Sequence, residues 1–98
     1  MNNNVLLNKG ALFCDETAQY RQPAEPERSE SVTIRFRTAA ENADSVYLIT
    51  GRAEVKMKKV RTVMPFDFYE TQLYVGSEQI LYHFEVRRGK EVCIYNKL

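Results

Sequence analysis

The sequence has few of the residues that build metal, redox or cofactor sites. Its 98 residues include one histidine, two cysteines and no tryptophan. Because zinc is held by several Cys and His side chains at short spacing, this supply cannot complete the usual zinc site, and we expect neither a metal nor a cofactor. Cys14 and Cys93 lie near opposite ends of the chain. We expect two free thiols in a reducing compartment, with a disulfide between them as the alternative.

The sequence also lacks an excess of one charge and any long apolar run. Fourteen basic residues against thirteen acidic ones leave a net charge of +1, so nucleic acid is not expected as a partner. Residues 1–10 hold at most three consecutive apolar side chains, far short of a signal sequence or a membrane span. We therefore expect a cytoplasmic protein that makes no contact with a membrane.

What the sequence does contain is the composition of one globular domain. A hydrophobic fraction of 44% and a charged fraction of 28% are typical of a soluble protein with a packed core. A chain of this length supports a single compact core. Residues 1–10 are polar and rich in asparagine, so they predict a flexible leader, followed by one domain over residues 11–98.

Alternation of apolar and polar residues is the main structural signal. Residues 31–38 place Val32, Ile34 and Phe36 on one face of an extended chain and polar side chains on the other, as in a half-buried β-strand. Further strands are predicted at residues 11–14, 45–50, 54–58, 66–73, 80–87 and 91–95. In residues 54–58, Val55 and Met57 are predicted to face inward, and the lysines suit an edge strand.

The inward face of the strand at residues 66–73 stays ambiguous. Either Phe66 and Phe68 point into the core, or Tyr69, Thr71 and Leu73 do. Turn residues separate all these short strands, and no helical period of useful length occurs. The pattern therefore predicts an all-β protein, an antiparallel sandwich or barrel.

Five segments of the sequence together resemble a known family. They are ALF at residues 11–13, VTIRFRTA at 32–39, VYLI at 46–49, FDFYE at 66–70 and LYHF at 81–84. In order and spacing they are similar to the N-terminal domain of cyclomaltodextrinases, neopullulanases and maltogenic amylases, also called carbohydrate-binding module family 34. The resemblance covers roughly residues 11–96.

The resemblance implies an immunoglobulin-like β-sandwich of about seven or eight short strands. In that family the sandwich precedes the (β/α)₈ catalytic barrel of glycoside hydrolase family 13, which these 98 residues do not contain. The implied partners are α-glucan oligosaccharides, the catalytic barrel of the parent enzyme and a second subunit in a homodimer. The parent enzyme is expected to be an α-glucan hydrolase.

Surface aromatic side chains are the expected sugar-binding residues, because the apolar face of a glucose ring stacks on a flat aromatic ring. Tyr47 points outward if its neighbours in residues 46–48 face the core. Phe68 is exposed if Tyr69 is buried, and the opposite orientation exposes Tyr69. Tyr20 and Tyr74 fall in loop-like contexts. The predicted carbohydrate-binding candidates are Tyr47, Phe68, Tyr69 and Tyr20.

No catalytic residue is predicted in this chain. Hydrolysis of a glycosidic bond needs two facing carboxyl groups, and the pair to consider for this role is Asp67 and Glu70. Residues three apart on a strand project from opposite faces, so these two cannot act on one bond. We expect a non-catalytic module of an α-amylase-family glycoside hydrolase that binds starch-type maltooligosaccharides. The alternative is an architectural domain that mediates dimerisation and shapes the partner subunit's active-site cleft.

Overall fold

The computed structural model describes residues 7, 9–14, 20–22, 30–51, 53–75 and 81–96. A 3₁₀ turn, Lys9–Ala11, precedes the strands. The strands are β1 (Arg21–Gln22), β2 (Glu30–Ala39), β3 (Ser45–Thr50), β4 (Glu54–Lys56), β5 (Lys58–Val63), β6 (Phe66–Val75), β7 (Tyr82–Arg88) and β8 (Glu91–Tyr95). Within the described residues, no helix has the length and apolar character needed to cross a membrane.

The strands form two four-stranded sheets. Sheet A has the order β1-β2-β6-β5 and sheet B the order β4-β3-β7-β8. Every pair of neighbouring strands is antiparallel. The chain passes between the sheets after β2, β4 and β6. The all-β prediction is confirmed, and the alternatives of sandwich and barrel are resolved as an immunoglobulin-like β-sandwich.

The core lies between the sheets and follows the predicted alternation. Val32, Ile34 and Phe36 of β2 are fully buried, and alternate residues of β3 and β7 face them from sheet B. The Phe36 and Phe84 rings lie 4.4 Å apart across the core. Aromatic pairs at this distance add to the free energy of apolar burial, so this contact between the sheets stabilises the sandwich.

The register of β6 resolves the ambiguity about its inward face. Phe36 pairs with Tyr69 and Val32 pairs with Leu73, so these side chains share the core face because directly paired residues project to the same side. Phe68 pairs with Arg37 on the outer face instead. The second of the two predicted orientations is therefore correct.

Two predicted strands differ from the observed ones by more than the position of their ends. Residues 11–14 form no strand, and only Phe13 makes a single bridge to Arg37. The strand predicted over residues 54–58 divides at Met57 into β4 of sheet B and β5 of sheet A. Both pieces lie at sheet edges, as the lysines predicted, and Met57 is buried at the crossing. Alternation alone cannot reveal such a change of sheet, because both halves keep the same period.

One open edge of the sandwich is closed by residues from the ends of the described chain. The Tyr95 hydroxyl donates a hydrogen bond to the Cys14 carbonyl oxygen at 3.3 Å, which joins sheet B to the segment beside β2. The Leu7 N–H donates to Glu91 Oε1 at 3.0 Å, and the Leu7 side chain is buried. The rest of the predicted leader, residues 1–6 and 8, lies outside the described residues. Cys14 and Cys93 form no disulfide.

Candidate functional site

The two carboxylates considered for catalysis lie on opposite faces of β6, as predicted. Asp67 is buried on the core face, while Glu70 lies on the outer face, where its Oε2 accepts a hydrogen bond from Arg35 Nε at 2.6 Å. Within the described residues, no group of three His, Cys, Asp or Glu side chains could hold a metal ion. This pair of carboxylates therefore offers no geometry for glycosidic hydrolysis.

Asp67 instead joins the end of the β5–β6 hairpin to the loop after β2. Its carboxylate accepts hydrogen bonds from the Thr62 hydroxyl at 2.5 Å and from the Glu41 N–H at 2.8 Å. The Lys59 ammonium lies 3.5 Å away. Burial raises the pKa of Asp67, but these hydrogen bonds and the lysine charge lower it more, so the net pKa lies below its ordinary value. Asp67 is therefore an ionised residue with a structural role, since it links β5 and β6 to the loop after β2.

The outer face of sheet A carries six side chains that we call the aromatic–arginine cluster: Phe13, Tyr20, Arg37, Arg61, Phe66 and Phe68. The Arg37 guanidinium lies 4.1 Å from the Phe66 ring centroid and 5.2 Å from that of Phe13. Its Nε donates a hydrogen bond to the Ala11 carbonyl oxygen at 3.0 Å. Arg37 is therefore held in one orientation by two rings and one carbonyl group.

Backbone pairing explains why distant parts of the sequence meet in this cluster. The Tyr20 carbonyl oxygen accepts a hydrogen bond from the Arg35 N–H at 2.7 Å, which places the Tyr20 ring 5.1 Å from Phe13 and 6.5 Å from Phe68. Tyr20 is only 4% exposed and Phe68 8%. Neither ring is open for a sugar to stack on in this arrangement.

Two exposed apolar side chains extend the cluster at the end of the β5–β6 hairpin. Val63 pairs with Phe66 and is 54% exposed. Met64 follows in the turn and is 75% exposed. The hairpin end therefore presents apolar surface to solvent next to Phe66, whose ring packs against the Arg37 guanidinium.

The other end of the same face is polar. There Tyr74 is 61% exposed and pairs with Ser31, and Gln72 pairs with Thr33. An open tyrosine ring beside hydroxyl and amide groups is the combination that sugar rings require. The sequence analysis missed this arrangement because it placed Tyr74 in a loop. The alternation in the sequence could have shown it, because residues 68, 70, 72 and 74 project to one face once the predicted strand is extended to residue 75.

Tyr47 lies on the opposite side of the molecule, on the outer face of sheet B. It is half-buried, and the Arg87 guanidinium lies 4.2 Å from its ring centroid. Glu85, which pairs with Tyr47, forms an ion pair with Arg87. Nearby, Val92 and Ile94 of β8 are each 53% exposed. The Arg87 guanidinium covers one face of the Tyr47 ring, so that face is not open for stacking.

Tyr69, the remaining candidate, belongs to the core. It is 5% exposed and forms part of the wall of a surface cleft near the crossing from β4 to β5. Burial raises the pKa of Tyr69, and the negative charge of Asp67 adds to the effect. The structure thus brings Tyr20 and Phe68 together and separates them from Tyr47 and Tyr69.

Comparison with known proteins identifies the family. A model of the family "Alpha amylase, N-terminal ig-like domain" matches residues 18–97. Among solved structures, a cyclomaltodextrinase superposes with a TM-score of 0.76 at 20% sequence identity, over 89% of this chain and 16% of its own. This chain thus spans a small part of the length of that enzyme, and no curated protein matches. Because the family model covers most of the chain, the chain belongs to the family of N-terminal Ig-like domains of α-amylases.

Proposed function

We propose that this chain acts as the non-catalytic, architectural N-terminal domain of an α-amylase-family glycoside hydrolase. In this proposal it docks against the catalytic barrel of a second subunit through the aromatic–arginine cluster and the end of the β5–β6 hairpin. The observation that carries the proposal is the exposed pair Val63 and Met64 beside the ordered Arg37.

The chemistry of this surface supports contact with protein. Aromatic, methionine and arginine side chains are enriched where proteins meet, and arginine is frequent among the residues that dominate binding. Because Arg37 is already fixed between Phe13 and Phe66, it loses little conformational freedom on binding. Three of the four predicted sugar-binding rings, Tyr20, Phe68 and Tyr69, are buried, which counts against stacking of a sugar on them.

A chimeric enzyme tests the docking proposal. This chain replaces the N-terminal domain of a dimeric cyclomaltodextrinase, and light scattering after gel filtration measures the subunit number. We expect a dimer that Val63→Asp and Met64→Asp weaken, because each places a charge in an apolar contact. The matched control Ile94→Asp changes a similarly exposed apolar residue on sheet B and leaves the dimer intact. A monomeric chimera, or a dimer lost only with Ile94→Asp, contradicts the proposal.

A second candidate function is binding of α-glucan, and the exposed Tyr74 favours it. An NMR titration of the labelled 98-residue chain with maltotriose measures this directly. If the polar end of sheet A binds sugar, saturable shifts at residues 31–33 and 72–74 disappear in Tyr74→Ala and persist in Tyr47→Ala. Shifts around Tyr47 would instead support that sequence-based candidate. If the titration gives no saturable shifts, sugar binding is rejected and the architectural role remains the proposed function.

A further inference from the structure

Positive charge is concentrated on the outer face of sheet A. The strand register places the charged side chains of this face in two neighbouring rows across β2, β6 and β5. One row is Arg37–Phe68–Arg61 and the next is Arg35–Glu70–Lys58. Directly paired residues project to the same side of a sheet, and residues 68 and 70 share one face of β6, so both rows point outward. The rows contain one carboxylate against four cations, although the whole chain has a net charge of only +1.

The one carboxylate in these rows is already engaged. Glu70 Oε2 lies 2.6 Å from both Nε and a terminal nitrogen of Arg35, so it matches the charge of that arginine. Among the residues that the structure describes, Arg37, Lys58 and Arg61 form no ion pair. Three cations on one face of the sheet are therefore left without a carboxylate partner.

Two of these cations are arginines held against neighbouring rings of β6. The Arg37 guanidinium lies 4.1 Å from the Phe66 ring centroid, and the Arg61 guanidinium lies 5.1 Å from that of Phe68. Contact with a ring uses the flat side of a guanidinium and leaves its N–H groups free to donate to an acceptor. Arg37 uses only Nε, on the Ala11 carbonyl oxygen. Both side chains thus keep donors suited to a carboxylate.

We propose that the surface that docks on the outer face of sheet A is acidic and places carboxylates against Arg37 and Arg61. This inference rests on the docking proposal and adds the chemistry of the docked surface of the second subunit. A neutral or basic surface that covered these guanidinium groups would leave them buried without an acceptor, which is strongly unfavourable. Lys58, exposed on the same face, adds attraction that speeds the encounter.

The salt dependence of the chimeric cyclomaltodextrinase dimer tests this inference. Raising NaCl from about 0.1 M to about 1 M shortens the Debye length from about 10 Å to about 3 Å, so we expect a weaker dimer at high salt. Sedimentation equilibrium measures the dissociation constant. Arg61→Gln and Lys58→Gln are each expected to raise it about fivefold at low salt and much less at high salt. Arg61→Lys keeps the charge and most of the salt dependence.

Lys56→Gln is the matched control, because it removes the same charge from an exposed position of β4, in sheet B. We expect it to leave the dissociation constant unchanged. Urea unfolding of the isolated chain checks that each variant folds. A dimer that Val63→Asp weakens, but that responds to neither salt nor Arg61→Gln, overturns this inference and leaves the docking proposal standing. Equal weakening by Lys56→Gln overturns it as well, and a monomeric chimera overturns both.

Discussion

Substitution of Asp67 gives the sharpest test of the structural reasoning, because one buried carboxylate holds two separate segments together. Asp67→Ala deletes the hydrogen bonds from the Thr62 hydroxyl and the Glu41 N–H. A hydrogen bond to a charged group contributes about 1.5–3 kcal/mol. Two such bonds set an upper limit of about 6 kcal/mol on the loss.

Two effects reduce that upper limit. Thr62 and Glu41 are at exposed positions, so water can take the hydrogen bonds that the Thr62 hydroxyl and the Glu41 N–H no longer donate to Asp67. The variant also no longer buries a charge, which removes the cost of its desolvation. The Lys59 ion pair adds little because the lysine is 48% exposed and screened by solvent. We expect Asp67→Ala to lower the free energy of unfolding by about 2–3 kcal/mol.

The pH dependence gives this prediction a definite sign. The pKa of Asp67 is below its ordinary value in the folded protein, so the folded state favours the ionised form. Such a group stabilises the fold fully above the pKa of about 3.9 that Asp has in an unfolded chain. That stabilisation is lost as the pH falls from there through the lower folded-state pKa. Asp67→Asn removes this component, so the difference from the wild type shrinks with acidification.

Urea unfolding followed by far-UV circular dichroism measures these differences from neutral pH down to about pH 3. Glu70→Gln is the control on the same strand, since its ion pair with Arg35 lies on the partly exposed outer face of sheet A and is expected to contribute about 1 kcal/mol or less. A gap between the wild type and Asp67→Asn that stays constant with pH refutes the reasoning. Equal losses for Asp67→Ala and Glu70→Gln do so as well.

Three further predictions concern packing, backbone strain and thiol access. Phe36→Ala is expected to lower the free energy of unfolding in urea by about 3–5 kcal/mol because Phe36 is 0% exposed, whereas Ile94→Ala at 53% exposure changes it by about 0.5 kcal/mol or less. Gly89 has a φ of 57°, and a Cβ added there would meet nothing within 4 Å. Gly89→Ala is therefore expected to lower the free energy of unfolding by about 1 kcal/mol through backbone strain alone. An unchanged melting temperature in thermal unfolding contradicts this. With a colourimetric thiol reagent, half-buried Cys93 reacts before buried Cys14, and the opposite order contradicts the described burial.

The docking and sugar-binding proposals use two ends of one sheet face. The apolar end has Val63 and Met64 exposed, and the polar end has Tyr74 exposed. The cross-strand pair Arg35–Glu70 lies between the ends. The two proposals therefore involve different residues of this face, and separate variants can test them.

The strands could be predicted because the alternation of apolar and polar residues lies within each strand's own sequence. In β2 the alternation of Val32, Ile34 and Phe36 with polar residues fixes both the strand and its buried face. The same holds for β3, whose observed bounds, Ser45–Thr50, are those predicted. The change of sheet at Met57 was not predictable, since an alternating pattern does not record which neighbour a strand joins.

The candidate site depended on contacts that a single strand cannot specify. Phe68 faces outward, yet it is buried because Tyr20 and Arg61, from distant segments, lie against it. Alternation predicted Tyr47 on an outer face, but the Arg87 that covers its ring comes from another strand. Exposure of an aromatic ring is therefore a tertiary property, although its strand face is a local one.

By itself, the sequence determined the all-β class, the apolar faces of the main strands and the separation of Asp67 from Glu70, because side chains alternate along an extended chain. Tertiary structure decided which outward rings remain open and how Arg37 is fixed between Phe13 and Phe66. Those outcomes depend on strand order and register, which bring residues far apart in the sequence within a few ångströms of one another.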